Sequence, residues 1–322
     1  MQFHEKRRQQ FLSEQYFEAD IQHATDISIP NLLQVLNAPD SDAEDRSRVS
    51  EAIAYSTCKN FFLNYTAGES LDVLRDDLSK VIAAYEQYTK FDREYEKKPK
   101  FPPFRFAEID DYERAIQLIS LCYLLHRRDL LPRLAAMLDG AFAGKDTLYE
   151  DLFSYELKDR FEVDEWYHDK PYRDIINSFY RDTPEESISD VQKYLKVWYT
   201  SMKKAFWHDS HLNIREDGGA YFGYWAIEAA AAVYLLELDD RSFRDHIVYP
   251  KDLLDYARKL DKQAPPTPLV PGQLRVEGGN PCRPGGLLVY PCHRRQSSSF
   301  RTRRDHACIH GLAVWRDHLA ME

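Results

Sequence analysis

The sequence lacks the short motifs that mark the common catalytic and nucleotide-binding sites. It contains no P-loop, no glycine fingerprint for a dinucleotide and no Gly-x-Ser-x-Gly nucleophile turn. It also has no recognisable pair of cysteine and histidine for nucleophilic catalysis. These absences lower the case for an enzyme without excluding one. We therefore predict a protein that acts by binding, with no catalytic residues and no cofactor.

Cysteine and strand-forming patterns are both scarce. The five cysteines are odd in number, and Cys58 and Cys122 show no paired spacing, which favours a reducing, cytoplasmic setting. Alternating apolar and polar runs bounded by turn residues hardly occur before residue 261. The first ten residues are charged and have no apolar segment like that of a secretory signal. We expect a cytoplasmic protein built without strands.

Basic charge is in short supply over most of the chain. Residues 1–261 hold 34 basic and 49 acidic residues, whereas residues 262–322 hold nine basic and four acidic ones. An acidic body argues against nucleic acid as a direct partner, because phosphate binding needs basic charge. It is compatible with a basic protein partner, since complementary fields speed association. Solubility alone is the simpler explanation of the same charge.

Apolar residues recur three or four positions apart in several segments, for example Leu71–Tyr85 and Ile188–Phe206. Ser41 with Glu44 fits a capping box, and Thr183 before Pro184 fits a cap followed by proline in the first turn. The pattern predicts an all-α, multi-helix bundle of about eight to ten helices. The predicted helices lie near residues 4–24, 42–64, 69–95, 107–127, 129–139, 146–157, 171–180, 184–207, 219–238 and 250–260.

The longest apolar run is Ala220–Leu236, which carries the single charge of Glu228. Asp239 and Asp240 follow it closely, which favours burial within protein over a membrane crossing. A helix that is apolar on every side is buried on every side, so we predict a central helix over residues 219–238. There Glu228 lines a pocket or, as we favour, pairs with an internal arginine or tyrosine.

One loop, between Asp159 and Pro171, alternates acidic with aromatic residues, and exposed aromatic residues surrounded by charge are typical of binding hot spots. The alternative is that Trp166 simply packs onto the domain. A second acidic connector, which contains two glycines, lies just before the long apolar run. The candidate partner-binding residues from both segments are Glu162, Asp164, Glu165, Trp166, Tyr167, Asp169, Glu216, Asp217 and Tyr221.

Histidine–aspartate doublets support a rival hypothesis. His168-Asp169 and His208-Asp209, the latter with His211 nearby, are similar to the doublet of helical metal-dependent phosphohydrolases. Such enzymes use imidazoles and carboxylates to hold a metal that activates water. Surface histidines at helix ends are the simpler interpretation. We predict no metal site and keep a phosphohydrolase as the alternative function.

The last segment has a different composition from the rest of the chain. Residues 262–322 contain seven of the 16 prolines and six of the 12 glycines, and show no helical period, so we expect an irregular tail or a segment translated out of frame. The predicted division is an N-terminal helical domain over residues 1–128, a C-terminal helical domain over residues 129–261 and an irregular basic tail over residues 262–322.

Residues 223–256 carry a run that matches a known family. The matching residues are Gly223-Tyr224-Trp225-Ala226-Ile227-Glu228-Ala229-Ala230-Ala231, Tyr234-Leu235-Leu236, Asp239-Asp240, Phe243-Arg244-Asp245, Tyr249-Pro250-Lys251-Asp252-Leu253 and Asp255-Tyr256, with Trp207, Asp209 and His211 upstream. This run resembles the C-terminal domain of the PoNi family, the immunity proteins of bacterial polymorphic nuclease toxins. The segment Arg7–Leu12 with Tyr16-Phe17 is similar, more loosely, to the family's N-terminal domain. Within the match, Tyr224, Trp225 and Glu228 are interpreted as a structural motif.

The resemblance implies an all-helical, non-enzymatic, cytoplasmic protein that binds a cognate DNase toxin and protects the bacterium that makes it. A DNase groove must be basic to hold phosphates, so an acidic, aromatic surface can occlude it. We predict such an immunity protein, with no direct contact to nucleic acid or membrane. A homodimer is left open, and a helical scaffold without a dedicated toxin is a third hypothesis.

Overall fold

Residues 2–215 and 218–263 are described by the computed structural model. Within these ranges the regular structure is helical, apart from one isolated bridge between Arg215 and Gly218, which confirms the predicted all-α fold. The α-helices are α1 Phe3–Lys6, α2 Glu14–His23, α3 Ile29–Leu36, α4 Ala43–Ala67, α5 Leu71–Glu96, α6 Ile109–Leu124, α7 Leu131–Phe142, α8 Thr147–Ser154, α9 Arg173–Ser178, α10 Pro184–Ser201, α11 Ile227–Leu235 and α12 Lys251–Gln263.

The two longest helices, α4 and α5, pack against each other and are joined by a tight turn. Gly68 ends α4 with a φ of +95°, a left-handed conformation that glycine adopts at no steric cost. A Cβ atom at this position would lie 2.2 Å from the carbonyl oxygen of Lys6. Glycine is therefore required both by the turn and by the close passage of the N-terminal segment.

Helices α6 and α11 lie together in the core. All residues of Ile116–Leu124 and of Ile227–Tyr234 are buried. One apolar cluster includes residues from Leu12 to Ala257, on both sides of the predicted boundary at residue 128. The described residues belong to one compact unit, Met1–Ala264. The division of this unit into an N-terminal domain over residues 1–128 and a C-terminal domain over residues 129–261 stays a prediction.

The predicted helix over residues 219–238 was wrong at its start, because α11 begins only at Ile227. The residues before it have no regular structure. Gly223 has a φ of +111°, and a Cβ atom there would lie 2.2 Å from the Thr66 hydroxyl oxygen. The backbone is bonded by distant side chains instead, since Gln9 accepts from the Tyr224 N–H at 2.9 Å and donates to its carbonyl at 2.6 Å. An apolar run of helix length is thus part helix and part buried loop.

The predicted helix over residues 4–24 is also interrupted. Ser13 caps a new helix, its hydroxyl accepting from the Tyr16 N–H at 3.3 Å, so α2 is separate from α1. Helix α3, with Pro30 in its first turn, was not predicted. The break between α1 and α2 arises where the chain turns inward, since Gln9 and Leu12 between these two helices are buried.

The predicted capping signals have two outcomes. The Thr183 cap is confirmed, because its side chain accepts from the Glu186 N–H at 3.3 Å and Pro184 occupies the first turn. The cap of α4 is Asp42 rather than Ser41, and it accepts from the Asp45 N–H at 2.8 Å. Helix α10 ends at Ser201 and not at the predicted residue 207.

Two groups of predictions fall outside the described residues. They are the irregular tail, from residue 264 onward, and the acidic pair Glu216 and Asp217. Within residues 2–215 and 218–263, no helix has both the length and the apolar character needed to cross a membrane.

Candidate functional site: a loop for protein recognition

The acidic loop lies at the surface, and its backbone is fixed to the start of α8. The Thr147 N–H donates to the carbonyl of Glu165 at 2.7 Å, and the Thr147 hydroxyl lies 2.9 Å from the carbonyls of both Val163 and Glu165. The Tyr167 N–H donates to one carboxylate oxygen of Asp146 at 3.0 Å, while the other oxygen caps α8. The loop therefore has a defined course over the helix end.

The acidic side chains of this loop face solvent. They are Glu162, Asp164, Glu165 and Asp169. Arg160, in contrast, points inward and forms ion pairs with Asp139 at 2.9 Å and with the buried Glu150 at 2.7 Å. The positive charge of Arg160 is therefore paired with carboxylates inside the fold. Among the exposed acids, Asp169 forms an ion pair with Arg173.

The aromatic side chains of the loop divide between the surface and the core. Phe161 is 56% exposed and Tyr167 is 38% exposed, and the Tyr167 ring stands edge-on to Phe106 at 5.5 Å. Trp166 packs against the core, and the Arg173 guanidinium lies 5.0 Å from the centre of its ring. Trp166 thus packs onto the domain, as the alternative interpretation had it. Phe161, which was not among the candidates, presents the larger exposed surface.

Tyr221 lies in the core rather than on the surface. It is fully buried, its hydroxyl donates to Gln9 Oε1 at 2.6 Å, and its carbonyl accepts from the Tyr16 hydroxyl at 2.8 Å. Tyr224 and Trp225 are also buried, and the Trp225 indole donates to the Thr66 hydroxyl at 2.9 Å. These three aromatic residues hold the N-terminal segment to the core and are not available to a partner.

Glu228 pairs with aromatic side chains and not with arginine. Its Oε1 accepts from the Tyr194 hydroxyl and, at 3.1 Å, from the Trp198 indole. Burial raises the pKa of Glu228 to about 7. The nearby carboxyl of Glu113 accepts from the Trp207 indole at 2.6 Å, and burial, followed by the Glu228 charge, raises the pKa of Glu113 well above its ordinary value. The five residues Glu113, Glu228, Tyr194, Trp198 and Trp207 are called the buried carboxyl cluster below.

The doublet proposed for metal binding is held by other contacts. His208 Nδ1 lies 3.3 Å from Asp209 Oδ2, whereas His211 Nδ1 lies 2.8 Å from the Tyr224 hydroxyl. In the part of the chain that the structure describes, no group of three His, Cys, Asp or Glu side chains is placed to hold a metal ion. The arrangement does not support the phosphohydrolase alternative.

Comparison with known families shows what kind of protein carries this loop. The model of "PoNe immunity proteins (PoNi), C-terminal" matches residues 144–253, a range that includes the acidic loop, α10 and α11. This part of the chain is similar to the C-terminal domain of the PoNi family. PoNi proteins are immunity proteins against nuclease toxins and bind their cognate toxins. The match confirms the family suggested by residues 223–256.

The fold of this protein is also found in a solved structure. The crystal structure of protein PA2201 from Pseudomonas aeruginosa superposes with a TM-score of 0.61, covering 79% of this chain and 92% of that one. The sequences are 19% identical, so the similarity shows a shared fold alone. No curated protein matches the sequence.

Proposed function

We propose that this protein neutralises a cognate nuclease by binding it stoichiometrically, with residues 161–169 facing the nuclease's basic nucleic-acid site. The observation that carries the proposal is the fixed backbone of an exposed loop that presents both acidic side chains and aromatic rings. The same loop lies within the matched family domain.

Electrostatics supports this orientation. A nuclease must line its cleft with basic groups to hold phosphates. Clustered carboxylates on the inhibitor steer the encounter and discriminate against acidic partners. The backbone bonds to Thr147 and Asp146 reduce the entropy lost when the loop is immobilised in a complex. Affinity of about 1 nM, or about −12 kcal/mol, is the scale that protection against a few toxin molecules requires.

In this proposal the protein acts by occlusion and performs no chemistry of its own. It needs no cofactor, touches neither nucleic acid nor membrane, and works in the cytoplasm, where an incoming nuclease meets the chromosome. Its partner is the nuclease itself, and a homodimer is not required for inhibition.

The first test reverses the charge of Glu162, Asp164 and Glu165 together to lysine. We expect association with the product of the neighbouring gene, tested as the candidate nuclease, to slow by about 10- to 100-fold at low salt, because steering is lost. The difference should shrink as salt screens the charges. Association rates measured by surface plasmon resonance, and survival of cells that co-express both proteins, provide the readouts.

A matched control reverses three exposed acids elsewhere, Glu18, Asp40 and Glu94, which make no ion pair with another described residue. It changes the net charge equally and should leave association nearly unchanged. Equal rates for the triple variant and the wild type at low salt would remove the loop from the interface. Failure of the wild type to bind the nuclease would overturn the proposed function itself.

A further inference from the structure

A second surface segment exposes apolar side chains while its neighbours are buried. Phe206 is 69% exposed and Leu212 is 70% exposed, the two highest values among the large apolar side chains of the described residues. Ala205, Trp207 and Ser210 of the same segment are buried. The exposure of Phe206 and Leu212 is therefore not the result of a loose chain. Folding places them outward on an anchored segment.

The backbone of this segment is held at several points. The ring of His208 stacks on Tyr199 at 4.4 Å. Asp209 has a φ of +59°, a left-handed conformation that aspartate tolerates, and its carboxylate accepts from the Tyr199 hydroxyl at 2.6 Å. The His211 N–H donates to the Tyr224 hydroxyl at 3.0 Å. A conformation fixed in this way is pre-organised for binding.

The segment adjoins the acidic loop at the N-terminus of α6. The Phe206 N–H donates to Asp110 Oδ1 at 2.7 Å, in the first turn of that helix. On the other side, the His168 ring is hydrogen-bonded to the carbonyl of Phe106 at 2.7 Å and packs on Tyr112 at 5.0 Å. Between these contacts, residues 107 and 108 are exposed. The two segments therefore border one continuous surface across the start of α6.

We propose that residues 203–213 extend the nuclease-binding surface, with Phe206 and Leu212 inserted into an apolar depression beside the nuclease's basic cleft. The inference rests on the proposed function and adds to it a second group of contacts of different chemistry. Lys203 and Lys204 are exposed next to Phe206. They meet acidic residues on the rim of the same partner.

The two segments then have separate tasks in binding. The acidic loop sets the rate of encounter, which depends on salt. Phe206 and Leu212 set the lifetime of the complex, because buried apolar anchors act mainly on dissociation. The negative loop and the positive Lys203-Lys204 pair, both exposed, also fix one orientation of the nuclease.

The test is the double variant Phe206→Ser with Leu212→Ser, compared with Ile27→Ser with Leu33→Ser, which replaces exposed apolar residues of the first half. We expect the first variant to dissociate from the same candidate nuclease at least about 30-fold faster, as for hot-spot residues. This effect should persist at high salt. The control should dissociate at the wild-type rate, and both variants should keep the wild-type melting temperature.

If the Phe206/Leu212 variant and the Ile27/Leu33 control dissociated from the nuclease at equal rates, the inference would be overturned and the proposed function would stand. A changed oligomeric state, measured by light scattering, with unchanged nuclease binding would assign the surface to a second copy of this chain and overturn it as well. Absence of binding by the wild type would overturn both proposals. The conservative variant Phe206→Tyr should retain slow dissociation if the ring occupies an apolar depression with an open edge.

Discussion

The buried carboxyl cluster and the acidic loop use the same residue types for opposite purposes. In the cluster, Glu113 and Glu228 are removed from water, accept hydrogen bonds from indole and phenol groups, and have raised pKa values. In the loop, Glu162 and Asp164 face solvent beside an exposed ring of Phe161. Composition is similar in the two regions, so burial decides whether acid and aromatic residues stabilise the fold or are offered to a partner.

The sharpest form of this comparison is between two consecutive residues. Trp207 is 3% exposed and stacks on Trp198 at 5.2 Å, whereas Phe206 is 69% exposed. We expect Trp207→Ala to lower the free energy of unfolding by about 4 kcal/mol, from the cavity and from the loss of the hydrogen bond to Glu113 Oε2. We expect Phe206→Ala to lower it by less than about 0.5 kcal/mol. Urea denaturation of both variants measures the difference.

Similar losses of stability in these two variants would remove the distinction between the cluster and the surface at this point of the chain. A large loss of nuclease binding by Phe206→Ala at unchanged stability would sharpen it.

The second prediction concerns pH. The pKa of Glu228 in the folded protein is about 7, above its ordinary value of 4.5. The folded state therefore holds this proton more tightly, and the resulting stabilisation is present below about pH 4.5 and is lost as the pH rises to about 7. A shift of this size corresponds to an effect on the order of 3 kcal/mol. Glu228→Gln cannot ionise and should lack this component.

The measurement is the free energy of unfolding between pH 5 and pH 8 for the wild type and for Glu228→Gln. As the pH rises, the free energy of unfolding of Glu228→Gln should increase relative to that of the wild type. Parallel curves would show that Glu228 does not titrate in this range.

The third and smallest effect tests the attachment of the loop. Thr147→Val keeps the side-chain shape and removes the hydroxyl that bonds the carbonyls of Val163 and Glu165. We expect a loss of about 1 kcal/mol in stability and faster amide hydrogen exchange over the loop. Thr200→Val is the control, since the exposed Thr200 hydroxyl bonds only a carbonyl of its own helix, that of Val197. Unchanged exchange in the loop would mean that the backbone N–H of residue 147 and the Asp146 carboxylate suffice to hold it.

Much of the fold could be predicted from periodicity and capping, because α5 and α10 bury one regular face each. The exposed acids of the loop could be predicted from composition. The residues before α11 could not, since their backbone bonds come from Gln9, far away in sequence. The exposure of Phe206 could not be predicted either. The helical period over residues 188–206 instead places Phe206 among the apolar positions. The tertiary contacts of Trp207 with Glu113 and Trp198 bury the Trp207 ring and leave the Phe206 ring outside.

The contacts of Gln9 also determine the stage of translation at which folding can be completed. Its side-chain amide donates to the carbonyls of Tyr224 and Ile247, more than 200 residues further along the chain. During synthesis the segment around Gln9 cannot form these hydrogen bonds until Tyr224 and Ile247 have left the ribosome. The nascent protein therefore remains incompletely folded until translation is well advanced, and residues 144–253 expressed alone would lack the contacts of Gln9.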